Sequence, residues 1–117
     1  MHEPQSLEQH LQAWVNAYGG EQFTKLGYAS DDRLAGASNA SGDAVADRVE
    51  KIVQRLENIG RWKEARVLRI ETFMPALPES ERLARLKRDG INIGRTAYYV
   101  YLNAACAAVE LYLSEKP

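Results

Sequence analysis

Thiol chemistry is nearly absent from this chain. Its single cysteine, Cys106, excludes an internal disulfide framework and fits a reducing compartment. Histidine is as scarce, with two residues, both within the first ten positions. With no His-Glu-x-x-His, no paired cysteines and no glycine-rich phosphate loop, neither zinc nor nucleotide chemistry finds its ligands, so no enzyme, metal or cofactor is expected. Apolar residues are interrupted by charge every few positions, and no run approaches the length of a membrane span. The leading MHEPQSLEQH has neither the basic nor the apolar region of a secretory signal, which places the expected location in the cytoplasm. An excess of either charge is missing too: 15 Lys and Arg stand against 16 Asp and Glu, a net charge of -1 that argues against nonspecific coating of nucleic acid. Internal repeats and convincing strands are also absent.

What remains suits one modest helical core. At 117 residues, 45% hydrophobic and 26% charged, the chain is one domain long. Ser6-Leu7-Glu8-Gln9 fits a capping box, and Leu7, Leu11, Trp14, Val15 and Tyr18 mark a helical face that ends at Gly19-Gly20. His10 reads as a solvated side chain. Residues 1–29 thus hold a first helix and an anchor segment, Phe23 to Tyr28. From Ser30 to Gly42 the composition shifts to Ser, Asp, Gly, Ala and Asn, which predicts a flexible loop. Residues 43–74 predict two core helices. One runs from Asp43 to Ile59 on Val45, Val49, Ile52, Val53, Leu56 and Ile59. The other runs from Arg61 to Met74 on Trp62, Ala65, Leu68, Ile70 and Phe73, and is closed by Pro75 and Pro78. On the first of these, Arg48, Lys51 and Arg55 share another face, read as solvated with an Asp47–Lys51 pair.

The stretch 78–114 organises the rest. A short amphipathic segment with Leu83 and Leu86 ends in the basic run Arg85, Lys87, Arg88, followed by Asp89-Gly90, where glycine suits the left-handed residue that closes a helix. A longer segment then starts at Arg95, with Tyr98, Tyr101, Leu102, Ala105, Val109, Tyr112 and Leu113 on one side at helical spacing. Helix, turn, helix is the expected order. The fold class is therefore all-α, a compact bundle of about five helices with a C-terminal helix-turn-helix.

Ile93-Gly94 followed by Arg-Thr-Ala-Tyr-Tyr-Val-Tyr-Leu-Asn-Ala-Ala over 95–105 resembles the recognition helix of small phage regulators of the antitermination protein Q type. Those domains are themselves similar to the promoter-binding domain of sigma factors. Ile93, Arg95, Tyr98, Tyr99, Leu102 and Ala105 fit the pattern, and residues 65–73 resemble the preceding helix of the same family. Trp14 with Leu26-Gly27-Tyr28 also resembles the N-terminal part of some members. Gly94 departs from the usual capping Ser or Thr, and the turn from Asp89 to Ile93 is longer than the compact form. Zinc ligands that some members carry have no counterpart here.

The resemblance implies that Tyr98 turns inward while Arg95, Thr96, Tyr99, Val100 and Asn103 face the DNA major groove. Arginine at the first position can bind guanine bidentately, threonine a base edge or thymine methyl, and asparagine adenine, while the Tyr99 hydroxyl can hold a phosphate. Arg82, Arg85, Lys87 and Arg88 are then expected to neutralise phosphates. Charge splits along the chain in the same sense. Five basic against nine acidic residues through Gly60 give -4, and 10 against 7 beyond it give +3.

By this likeness the expected partners are double-stranded DNA and bacterial RNA polymerase, in the cytoplasm of a bacterial host, and the expected function is late-gene antitermination. A plain repressor or activator would use the same helix. The alternative is a small helical interaction module, an inhibitor or anti-activator, that keeps the scaffold without binding DNA. The Ala-rich half after Asn103 is apolar on nearly every side, which suits a central bundle helix or a seam for a second copy. Cys106 reads there as a small hydrophobe.

Overall fold

A computed structural model describes residues 6–19 and 43–115. The anchor segment of 23–28 and the loop of 30–42 lie outside them. All five elements among the described residues are helices: α1 (Leu7–Tyr18), α2 (Ala44–Asn58), α3 (Trp62–Phe73), α4 (Glu79–Arg88) and α5 (Arg95–Ser114).

Local chemistry sets the boundaries. The Ser6 hydroxyl accepts from the Gln9 amide at 3.2 Å while the Gln9 side chain accepts from the Ser6 amide at 2.8 Å, closing the capping box of α1. Asp43 caps α2 through the Ala46 amide at 3.0 Å. Gly60 and Gly90, with φ of 92° and 91°, end α2 and α4. In each case the next residue's amide reaches back across the turn, Arg61 to the Leu56 carbonyl at 2.9 Å and Ile91 to the Leu86 carbonyl at 2.8 Å. That is the left-handed closure glycine permits.

The core forms where α1, α2, α3 and α5 meet. α3 lies chiefly along α5 and also against α2, α1 packs on α2, and α4 rests on α3. Trp14, Val49, Val53, Leu56, Leu68, Ile70, Phe73, Tyr98 and Val109 are buried together. Trp14 and Phe73 meet edge to face with centroids 4.6 Å apart. Two expected core residues sit elsewhere: Ile59 is 54% exposed and Trp62 40% exposed. Both flank the Gly60 turn, where the chain reverses before α3 settles on the core.

The interior is not wholly apolar. Arg69 and Glu50 are buried side by side, with the guanidinium donating to both carboxylate oxygens at 3.0 and 2.8 Å. Glu50 also accepts from the Trp14 indole at 2.9 Å and the Gln54 amide at 2.9 Å, and Arg69 reaches Glu57 at 3.0 Å. Burial opposes the charge of Arg69, but the hydrogen bonds it donates to Glu50 and Glu57, together with their negative charges, outweigh it and raise its pKa. A second link ties α1 to α2, where the Tyr18 hydroxyl donates to Asp47 at 2.6 Å.

Arg48 and Arg55 are not a free basic face. Arg48 donates to the carbonyls of Leu113 and Glu115 at 2.8 and 2.7 Å, capping the end of α5. Arg55 stacks over Tyr112 at 4.2 Å and pairs with Glu115 at 3.5 Å. At this corner Ser6 and Leu7 of α1 meet Leu113 and Ser114 of α5 around a cleft of about 650 Å³.

Candidate functional site

The connector of residues 89–94 decides how α5 is presented. Ile91 is buried beneath it, and Asp89 pairs with Arg66 of α3 at 3.8 Å. Gly94 then starts α5 in an extended conformation with no side-chain cap, so the first amides of α5 have no hydroxyl or carboxylate closing them.

Tyr98 fixes the rotation of α5. It is fully buried, and its hydroxyl donates to Glu71 of α3 at 2.6 Å. Arg82 of α4 pairs with the same Glu71 oxygen at 3.1 Å, and its guanidinium carbon lies 5.7 Å from the Tyr98 ring centroid. Three helices are thereby joined through one carboxylate. Burial, reinforced by the hydrogen bond to Glu71, pushes the Tyr98 pKa far above the usual tyrosine range, so the hydroxyl stays protonated.

With Tyr98 inward, the expected groove-facing residues emerge together. Arg95, Thr96, Tyr99, Val100 and Asn103 are all exposed along one side of α5. Tyr99 is 38% and Val100 59% exposed. The Arg95 side chain is 75% exposed, pairs with Glu79 of α4 at 3.4 Å, and lies 6.0 Å from the Tyr99 ring centroid.

The four basic residues of α4 separate into three situations. Lys87 and Arg88 are exposed beside the connector. Arg85 is half-buried, with its Nε shielded and without a hydrogen-bond partner. Arg82, with only 11% of its side chain exposed, is committed to Glu71. Its role in this arrangement is to orient α5 through Tyr98 rather than to meet solvent. Nothing in the apolar spacing of α4 signals this, since the partner carboxylate lies on another helix.

The far half of α5 divides between burial and exposure. Ala105, Ala108 and Val109 face the core, whereas Ala107 and Glu110 are exposed and Leu111 is 62% exposed. Cys106 is half-buried, and burial raises its pKa, which disfavours the thiolate. His10 lies with Nδ1 2.9 Å from the Ser6 carbonyl. Among the described residues no cluster of His, Cys, Asp and Glu is placed to hold a metal ion. No described helix is long and apolar enough to cross a membrane.

Comparison of the chain with family models, with curated protein sequences and, through its fold, with solved structures finds no match.

Proposed function

We propose that this chain is a DNA-binding transcription regulator of the phage or prophage type, with the first half of α5 as its reading element. The observation that carries the reading is the split between adjacent tyrosines. Tyr98 is locked inward on Glu71 while Arg95, Thr96, Tyr99, Val100 and Asn103 stand outward on one face. A groove-reading helix requires that alternation, because one side must be held by the scaffold and the other must reach base edges. The uncapped start of α5 adds amides and the positive end of a helix dipole, which favour a phosphate. Lys87 and Arg88 are exposed in the last turn of α4, at the other end of the connector. Antitermination through RNA polymerase is part of the proposal by likeness to the Q-type regulators.

The test is selection of purified protein on a pool of random duplexes at two salt concentrations, wild type beside Arg95→Ala. The expected outcome is enrichment of one sequence, lost in the variant. No enrichment even at low salt would remove autonomous DNA recognition.

A second reading is favoured by one observation. The exposed side of α5 continues past Asn103 through Ala107 to Leu111, beyond the turns that a groove accommodates. An apolar stripe of that length suits a protein partner, and a partner complex insensitive to Arg95→Ala would support this alternative.

A further inference from the structure

We propose that two copies of this chain associate through the exposed face of α5, antiparallel, about a twofold axis at Asn103. Thr96, Val100, Asn103, Ala107 and Glu110 recur on that face at the alternating spacing of four and three that forms a helix-pairing seam. All five are exposed, with Tyr99 and Leu111 alongside them. Between Arg95 and Glu110 the exposed positions of α5 carry no charge.

The seam is self-complementary in one direction. Tyr99 and Ala107 lie at equal distances on either side of Asn103, so reversing the second helix sets each large ring against a small methyl. Asn103 then meets its own copy, and an amide supplies both the donor and the acceptor for that pairing. Arg95 comes beside Glu110 of the second copy. Glu79 holds Arg95 at only 3.4 Å, with 75% of the side chain exposed, so the guanidinium can turn across the interface. A parallel arrangement would instead oppose Arg95 to Arg95 and Glu110 to Glu110. The charges therefore select the antiparallel pairing, in which the helix dipoles also oppose.

One helix per subunit gives a contact at the small end of specific interfaces, below about 1,200 Å² of total buried surface. The association is reversible and concentration-dependent. Resting on the DNA reading proposed above, its consequence is regulatory: the seam includes Arg95, Thr96, Tyr99, Val100 and Asn103, so the paired form hides them and the monomer is the DNA-binding form.

Sedimentation equilibrium across the micromolar range tests the pairing, with far-UV circular dichroism confirming that each variant keeps its helices. Leu111→Glu lies outside the groove-facing residues. It and the single reversals Arg95→Glu and Glu110→Arg are expected to raise the dimer dissociation constant by roughly tenfold. The double exchange Arg95→Glu with Glu110→Arg is expected to recover to within roughly threefold of wild type. Monomer at every concentration, a dimer indifferent to Leu111→Glu, or an exchange no better than its singles would overturn the proposal. Duplex binding separates the two readings. Leu111→Glu should bind DNA at least as well as wild type at concentrations where wild type pairs. If the exchange rescues pairing while no variant binds any duplex, the self-association stands and the DNA reading falls.

Discussion

Arg69 is buried with its charge intact, and Glu50 and Glu57, which accept from Nε and both terminal nitrogens of the guanidinium, offset the cost. Truncating one partner of such a pair is far worse than never having had it, since the other charge is left in a medium that solvates it poorly. Arg69→Met is therefore expected to cost about 3–5 kcal/mol in urea unfolding at neutral pH. Adding Glu50→Gln should recover part of that loss, because the amide oxygen still accepts from Trp14. Tyr98 gives a prediction of different form. Its folded pKa is raised above the unfolded value of about 10. Below that pH both states are protonated and stability is unaffected. Above it the unfolded chain ionises while the folded one does not, so stability falls as pH rises. Unfolding midpoints measured between about pH 8 and about pH 11 should decline less steeply for Tyr98→Phe than for wild type. At neutral pH the same substitution should cost about 1.5–3 kcal/mol through the lost hydrogen bond to a carboxylate.

At the scale of elements, the closing glycines make the clearest prediction. Gly90 holds φ at 91°, and a Cβ added there meets nothing within 4 Å, so the whole penalty of Gly90→Ala is backbone strain. Thermal unfolding should register a loss of about 1 kcal/mol. The same punctuation explains why the elements were legible in the sequence. Ser6, Asp43, Gly60, Pro75, Pro78 and Gly90 each act within four residues of their own position, and the expected ends of the helices agree with the observed ones to a residue or so. The inward turn of Tyr98 followed from the spacing of Leu102, Ala105 and Val109. What was not legible was every polar contact between helices. Glu50 and Arg69 are 19 residues apart, Arg82 and Glu71 are on different helices, and Arg48 meets carbonyls 65 and 67 residues away. Periodicity sorts apolar from polar, and it reads a buried charge as a solvated one. One local signal existed: Arg69 interrupts Val67, Leu68 and Ile70, four consecutive buried positions on a helix, which leaves the arginine no exposed side to occupy. Trp62 erred in the opposite sense, because a helix's first residue lacks neighbours on its open end.

Across the whole molecule the apparent charge of a segment is not the charge it displays. The half beyond Gly60 has an excess of +3, yet Arg61 pairs with Glu64, Arg66 with Asp89, Arg69 with Glu50 and Arg82 with Glu71. In the stretch from α4 to α5 the exposed cations are Lys87 and Arg88 of α4 and Arg95 of α5. With Arg95 reading a base, two phosphate contacts from Lys87 and Arg88 imply that the logarithm of the DNA association constant falls with the logarithm of salt at a slope of about -2. A titration over several salt concentrations measures it, and Arg88→Ala should flatten the slope by about 1, whereas Arg95→Ala should relax the sequence preference. Affinity of that origin is modest. The corner where Arg48 closes α5 has a consequence of another kind. The chain enters α1 at Ser6 and leaves α5 at Ser114 around the same cleft, and the length of α5 puts Arg95 about 30 Å from it. Both leads of the fold emerge together at the end of the molecule away from the start of α5. A fusion or a surface tether attached there holds the molecule by one end and leaves the first turns of α5 unobstructed.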